Sequence, residues 1–226
     1  VILYITKEQA QNAIQNMQLF SKELDDLFAK HGMSFEGNTG RRNVLLSQAQ
    51  EHFLAQELKK SFPSTRNDGR TGEPDISISE IGKVVECKLT TPSKNGALTL
   101  QSDKEAFSDG EKDFIYFVAD DKMQKFAVLH FIGLTRDDFG ASSESSRGRV
   151  KMIKSASYKK CIVLHGEYEP RSKKMIDAID QKLLRSRKGT KAYQNLLKSK
   201  LFWENSNESF TLNLHAIENN LIVSDT

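Results

Sequence analysis

Residues 74–88 read PDISISEIGKVVECK. These two short β-branched runs carry Asp75, Glu86 and Lys88, charges that sheets ordinarily exclude. PDISISE (74–80) and KVVECKL (83–89) meet at Glu80–Gly82 and are predicted to form an antiparallel hairpin. A two-residue turn at Glu80-Ile81 sets Asp75 opposite Glu86, and a turn one residue later sets it opposite Lys88. Both registers keep the alternation of faces along each strand. One face then holds Asp75, Ser77, Ser79, Val84, Glu86 and Lys88, and the other Ile76, Ile78, Val85, Cys87 and Leu89. The second set is a core face, so its burial gathers the charges on the first.

That gathering sets up a conflict. Two carboxylates across a strand pair repel, and burying either alone is unfavourable. A hard divalent cation with oxygen ligands removes the conflict, which makes Asp75 and Glu86 a candidate Mg2+ site. Lys88, on the same side, is placed to hold a water nucleophile or to offset charge on a phosphorane-like transition state. An exposed hairpin with a simple Glu–Lys pair is the alternative. It accounts for Lys88 but leaves the apolar opposite face unexplained.

Working outward, residues 7–30 repeat apolar side chains at intervals of three and four, with Thr6 as cap and Gly32 as stop, and a second helix is predicted at about 43–61. Between them FEGNTGRR (35–42) is a loop; no Lys-Ser/Thr follows its glycines, so it is not a phosphate-binding loop. PSTRNDGRTGEP (63–74) is polar and turn-rich. NGALTLQ (95–101) is predicted as a strand, and DFIYFVAD (113–120) and QKFAVLHFIGL (124–134) as central strands. DDFGASSESSRG (137–148) reads as a flexible boundary. Beyond it YKKCIVLH (158–165) is strand-like, 171–200 is helical with a break near Gly189, and SFTLNLH (209–215) alternates like a half-exposed strand.

The fold class implied is α/β, a mixed sheet flanked by helices, with a basic C-terminal portion. Residues 1–146 are expected to form the N-terminal helices and core. Residues 147–226 form the basic portion, either separate or continuous with that domain. The formal net charge of +3 is unevenly spread. Residues 1–146 hold 17 Lys/Arg against 22 Asp/Glu, whereas residues 147–200 hold 16 against 4. Such a block suggests a polyanion partner, although Lys and Arg also suit a solvated helix face.

Other residues carry less. The five histidines lack metal-ligand spacing, which argues against a His-rich zinc site. The two cysteines sit in apolar stretches and read as buried thiols of a reducing, cytoplasmic environment. Trp203 beside Phe202 reads as core or interface. No run approaches the ~18 apolar residues of a membrane span, and no signal-peptide pattern is present. The chain begins with Val1, which suggests a trimmed N-terminus.

Pro74-Asp75, ten intervening residues, then Glu86-Cys87-Lys88 resembles the PD-(D/E)xK nuclease superfamily, in the form common among type II restriction endonucleases. The resemblance extends over residues 40–134, through the preceding helix, the hairpin facing, the Thr-Pro-Ser-Lys segment and the apolar strands. It implies a restriction-endonuclease-like core and Mg2+-dependent hydrolysis of double-stranded DNA, leaving 5′-phosphates. Asp75 and Glu86 would ligate the metal with the backbone carbonyl of Cys87, and Lys88 would orient or activate the water. An added acid from the preceding helix would be Glu51, followed by Leu54 and Leu58, or else Glu57. Arg66, Arg70 and Lys94 fall where DNA would pass, and Lys173, Lys174, Arg185 and Arg187 represent the basic block. A homodimer is expected, one subunit per strand of a palindrome, with 201–203 or 221–223 as candidate interface. A repair or recombination nuclease, or a DNA-binding protein without activity, are the alternatives.

Overall fold

A computed structural model describes residues 3–67, 73–93, 98–107, 110–141, 148–166 and 171–204. The chain forms two compact units, Val1–Thr91 with Thr99–Tyr168, and Pro92–Leu98 with Glu169–Thr226. In the first unit α1 (Lys7–Lys30) starts at a capping box. The Gln9 N–H donates to Thr6 Oγ1 at 3.1 Å, and the Thr6 N–H donates to Gln9 Oε1 at 2.9 Å. Its Ala10, Ala13, Ile14 and Met17 are buried, following the three-and-four spacing of the sequence. α2 (Thr39–Lys59) begins four residues earlier than expected, because Asn38 caps it by accepting from the Arg41 N–H.

The sheet consists of β1 (Ile76–Ile78), β2 (Lys83–Thr90), β4 (Lys112–Ala119), β5 (Phe126–Leu134) and β7 (Cys161–Gly166), in the order β1-β2-β4-β5-β7. β2 and β4 run parallel and the other neighbours antiparallel, so this is a mixed five-stranded sheet in an α/β unit. One sheet face packs Ile76, Ile78, Val85, Cys87, Ile115, Phe117 and Val128 into a single core with α1 and α2. On the other face Phe114 lies in ring contact with Phe107, Tyr116 and Phe139. β3 (Gln101–Asp103) and β6 (Arg149–Lys151) pair as a separate small sheet, and the Tyr116 hydroxyl donates to the Gln101 carbonyl at 2.9 Å.

Three expectations need correction. Of the strand expected over 95–101, residues 98–100 are irregular and β3 starts at Gln101, while 95–97 lie outside the described residues. The 137–148 stretch does not divide the chain, because β6 and β7 follow it and belong to the first unit, so the division falls after Tyr168 rather than after 146. α2 spans more of the FEGNTGRR loop than its glycines suggested. In the second unit α4 (Arg171–Leu184) is followed by a helix over 191–204, and Gly189 at φ +82° makes the break between them. The short helix α3 (Lys154–Ser157) precedes β7. Residues 209–215 and 221–223 lie outside the described residues.

His130 is the discordant element of this core. It sits in β5 opposite Ile115 and Ile162, has no exposed surface, and neither ring nitrogen has a hydrogen-bond partner. Its ring meets Tyr4 edge-on at 5.2 Å. Burial pulls its pKa down to about 4, against the attraction of Asp113 and with the repulsion of Lys83. An imidazole held neutral in the folded state, but free to protonate when unfolded, makes stability fall as pH drops from about 6.5 towards 4. His130→Phe keeps the ring contact and removes two unsatisfied atoms. It should raise stability by about 1 kcal/mol at pH 7 and by more at pH 5. Chemical denaturation at the two pH values checks this, and an unchanged pH dependence would show that His130 does not carry the effect.

Candidate active site

The site grows from the β1–β2 register. Ile76 pairs with Val85 and Ile78 with Lys83, so Asp75, just before β1, lies opposite Glu86. The turn is a short 3₁₀ segment, Ser79–Ile81, closed by Gly82 at φ +59°, a conformation that glycine adopts without strain. The preceding loop is pinned to this hairpin. Arg66 and Ser77 exchange backbone hydrogen bonds at 2.8 and 2.9 Å, and Ser64 hydrogen-bonds the Glu80 carboxylate. The Asn67 amide donates to the Asp75 carbonyl at 2.9 Å.

With the apolar face buried, the charged face is left half-buried. Asp75 Oδ2 accepts from the Cys87 N–H at 2.7 Å, a side chain continuing the ladder where β1 has ended. Lys88 Nζ lies 3.5 Å from Asp75 Oδ2 and 3.2 Å from Glu86 Oε2. Burial presses the Lys88 pKa down, but Asp75 and Glu86 more than offset this and hold it above its ordinary value. Between these two carboxylates Lys88 is held as an ammonium. Cys87 turns its thiol into the core, where burial pushes the thiol pKa well up, so only its backbone is available to the site.

Glu51, the candidate by sequence, and Glu57, its runner-up, part company. Glu57 is buried away from the hairpin, accepting from Lys60 at 2.7 Å and from Asn12 on α1 at 3.0 Å. Glu51 interacts electrostatically with Asp75, Glu86 and Lys88. Burial and the repulsion of Asp75 push its carboxyl up to about 7, while Lys88 and a hydrogen bond from Asn67 pull the other way. A carboxyl so raised marks a place where positive charge is insufficient.

The donor chemistry fits a hard cation: three carboxyl groups with backbone oxygen nearby and no soft ligand. Among the described residues, however, no three acid, His or Cys side chains stand close enough to cage an ion as they are. Asp75 and Glu86 meet through Lys88 instead. Two residues that sequence reasoning missed adjoin the site. Asn67 touches both Asp75 and Glu51, and Lys112 lies 3.8 Å from Glu86 Oε1. Neither had a local signal, since each reaches the site only through chain pairing.

Of the expected DNA contacts, Arg66 is exposed at the hairpin edge, beside Asn67. Arg185 and Arg187 are exposed in the other unit. Lys173 and Lys174 fall in α4, but their side chains, like Arg70 and Lys94 altogether, lie outside the described residues. No helix among the described residues is long and apolar enough to cross a membrane. No protein-family model matches the chain, and no curated protein matches it in sequence.

The raised Glu51 carboxyl yields a signed prediction. Its proton is held up to about pH 7 in the folded state but lost near 4.5 when unfolded, so stability falls as pH rises through that window. With a chelator present, Glu51→Gln should raise the melting temperature at pH 8 and leave it nearly unchanged at pH 4.5. Thermal melts at both values measure it, and a lowered melting temperature at pH 8 would contradict the electrostatic reading of this residue.

Proposed function

We propose that the chain is a Mg2+-dependent endonuclease of double-stranded DNA, of the type II restriction kind. The observation that carries the reading is the convergence of Asp75, Glu86 and Lys88, with contacts of 3.2 and 3.5 Å, on one half-buried face of the β1–β2 pair. The motif resemblance and the desolvated Glu51 support it.

In this reading Asp75, Glu86 and the Cys87 carbonyl would hold Mg2+, with Glu51 completing the oxygen set. When bound, the ion supplies Lewis acidity at a phosphoryl oxygen and positive charge near the attacking water. Lys88, kept protonated by its neighbours, would donate a hydrogen bond that orients that water and then one to the charge developing on the phosphoryl oxygens. Water attacks phosphorus while giving up a proton to solvent, the bond to the 3′ oxygen breaks and that oxygen takes a proton from solvent, and the products are a 5′-phosphate and a 3′-hydroxyl. Asn67 holds Asp75 and Glu51 in place from behind. A homodimer acting on two half-sites would cut both strands.

Asp75→Asn and Glu86→Gln should each abolish cleavage with the fold retained, and DNA binding should tighten, because a negative charge near phosphate is removed. Lys88→Ala should slow cleavage by about 10²–10³-fold yet still bind metal. Plasmid digestion with Mg2+ titrated in is the assay. Full activity in purified Asp75→Asn protein would sink the assignment. Discrete fragments mark a restriction enzyme; preference for nicks, junctions or mismatches marks a repair nuclease; binding without cleavage marks an inactive DNA-binding protein.

The basic block offers a second test. Neutralising Lys173, Lys174, Arg185 and Arg187 together should weaken binding to every DNA sequence. It should also lower the log–log salt slope by roughly 0.9 for each phosphate that is no longer neutralised. Fluorescence anisotropy across a salt series reads this out, and an unchanged slope would reduce the block to a solvated face.

A further inference from the structure

Lys112 opens β4 on the same face as Glu86. The parallel register pairs Glu86 with Phe114, and Lys112 lies two residues earlier, so alternation directs all three to one side. Its Nζ stands 3.8 Å from Glu86 Oε1, and its side chain is only 10% exposed. The other oxygen of the same carboxylate, Oε2, faces Lys88 at 3.2 Å. A lysine so buried carries a desolvation penalty that needs compensation, and Glu86 supplies part of it.

The backbone around Lys112 is specially formed. Lys112 pairs with Leu134 but Phe114 with Phe131, so β5 carries an extra residue at this point. Gly133 takes the left-handed position at φ +64°, which glycine adopts freely. Its N–H donates to Asp113 Oδ1 at 2.8 Å, and its carbonyl accepts from Lys160 Nζ at 3.0 Å. Bulges of this kind re-aim a neighbouring side chain, and this one is fixed from both sides.

We propose that Lys112 is the positioning residue of Glu86: it holds Oε1 so that Oε2 alone is offered to the metal, and its charge keeps the metal weakly bound and exchangeable. The proposal rests on the metal-dependent reading above. It separates two quantities that a purely structural lysine would move together. Removing the charge relieves its repulsion of the incoming cation, so affinity should rise. Removing the clamp frees Glu86 to rotate or to bind through both oxygens, so turnover at saturating metal should fall.

The test uses the full chain and Mn2+ as probe. Mn2+ is titrated calorimetrically without DNA at low ionic strength, and single-turnover plasmid cleavage is followed at saturating Mg2+. Lys112→Met should bind Mn2+ about tenfold more tightly, the size expected for one unit charge some 6 Å from a divalent ion in a water-like dielectric, and should cleave more slowly. Lys112→Arg should restore both values, and Lys112→Gln should follow Met if the larger change unfolds the protein. Mn2+ affinity that is unchanged or weakened in both Met and Gln variants overturns the proposal, as does an Arg variant no better than Met. Wild-type protein that neither binds Mn2+ nor cuts DNA overturns the metal-dependent reading, and this proposal with it. Wild-type protein that does both, beside a Lys112→Met variant indistinguishable from it, overturns this proposal alone.

Discussion

The ammonium of Lys88, lying between Asp75 and Glu86, offsets the repulsion that the hairpin's register imposes on the two acids. The two acids face each other because Ile76, Ile78, Val85 and Cys87 are buried on the opposite side. Turning the acids to solvent by a one-residue slip would carry the apolar set out of the core with every side chain reversed. Apolar burial at ~25 cal/mol per Å2 therefore overrides the repulsion of two half-solvated charges, and the lysine removes what repulsion remains. Everything else at the site follows from that enforced proximity, including the elevated carboxyl of Glu51.

Stability and function are set against each other here. Glu51 ionises with difficulty, because burial and two neighbouring carboxylates oppose its charge. A hydrophobic or amide residue at that position would suit the fold better. Residues that break the local rules of packing and pairing, without a structural gain, are expected where a site is kept for its chemistry. Glu57 shows the contrast on the same helix: itself buried, it is paired with Lys60 and Asn12, and its carboxyl is held low by them. His130 breaks the same rules in the core, yet it lies on the helix-packed sheet face against Tyr4, so rule-breaking alone does not identify a functional group.

How far the sequence is legible follows from the range of the interactions involved. The two faces of the hairpin could be read from residues 74–89 because a strand repeats every two residues and the turn is local. The register could not be chosen, because Glu80, Ile81 and Gly82 allow the turn to form at either of two positions; the left-handed Gly82 decides it. Glu51 and Glu57 lie on one helix, and the leucines three and seven residues after Glu51 favoured it, but it is the contact of Glu57 with Asn12 on α1 that sets the two apart in space. Lys112 and Asn67 were out of reach for a simpler reason. Lys112 arrives through a parallel pairing with a strand more than twenty residues away, and Asn67 through an edge contact in a polar loop. The boundary expected at 137–148 failed similarly: its Gly/Ser composition is truly loop-like, but the strands after it return to the first unit, which no local composition reveals.

The uneven charge takes on physical sense under the proposed activity. Three acids at one site repel a phosphodiester, and residues 1–146 as a whole hold more acids than bases. A polyanionic substrate then needs attraction from elsewhere. Lys88, Lys112 and a bound divalent ion supply it within a few ångströms, where exchange of ligands decides the chemistry. The excess of 16 Lys/Arg over 4 Asp/Glu in residues 147–200 can supply it during approach, over about one Debye length at physiological salt. Short-range and long-range attraction answer different needs: the first must be weak enough to release product, and the second need not distinguish one phosphate from another. Under that proposal, separating them would let the acidic site remain selective for a metal while the basic residues gather DNA of any sequence.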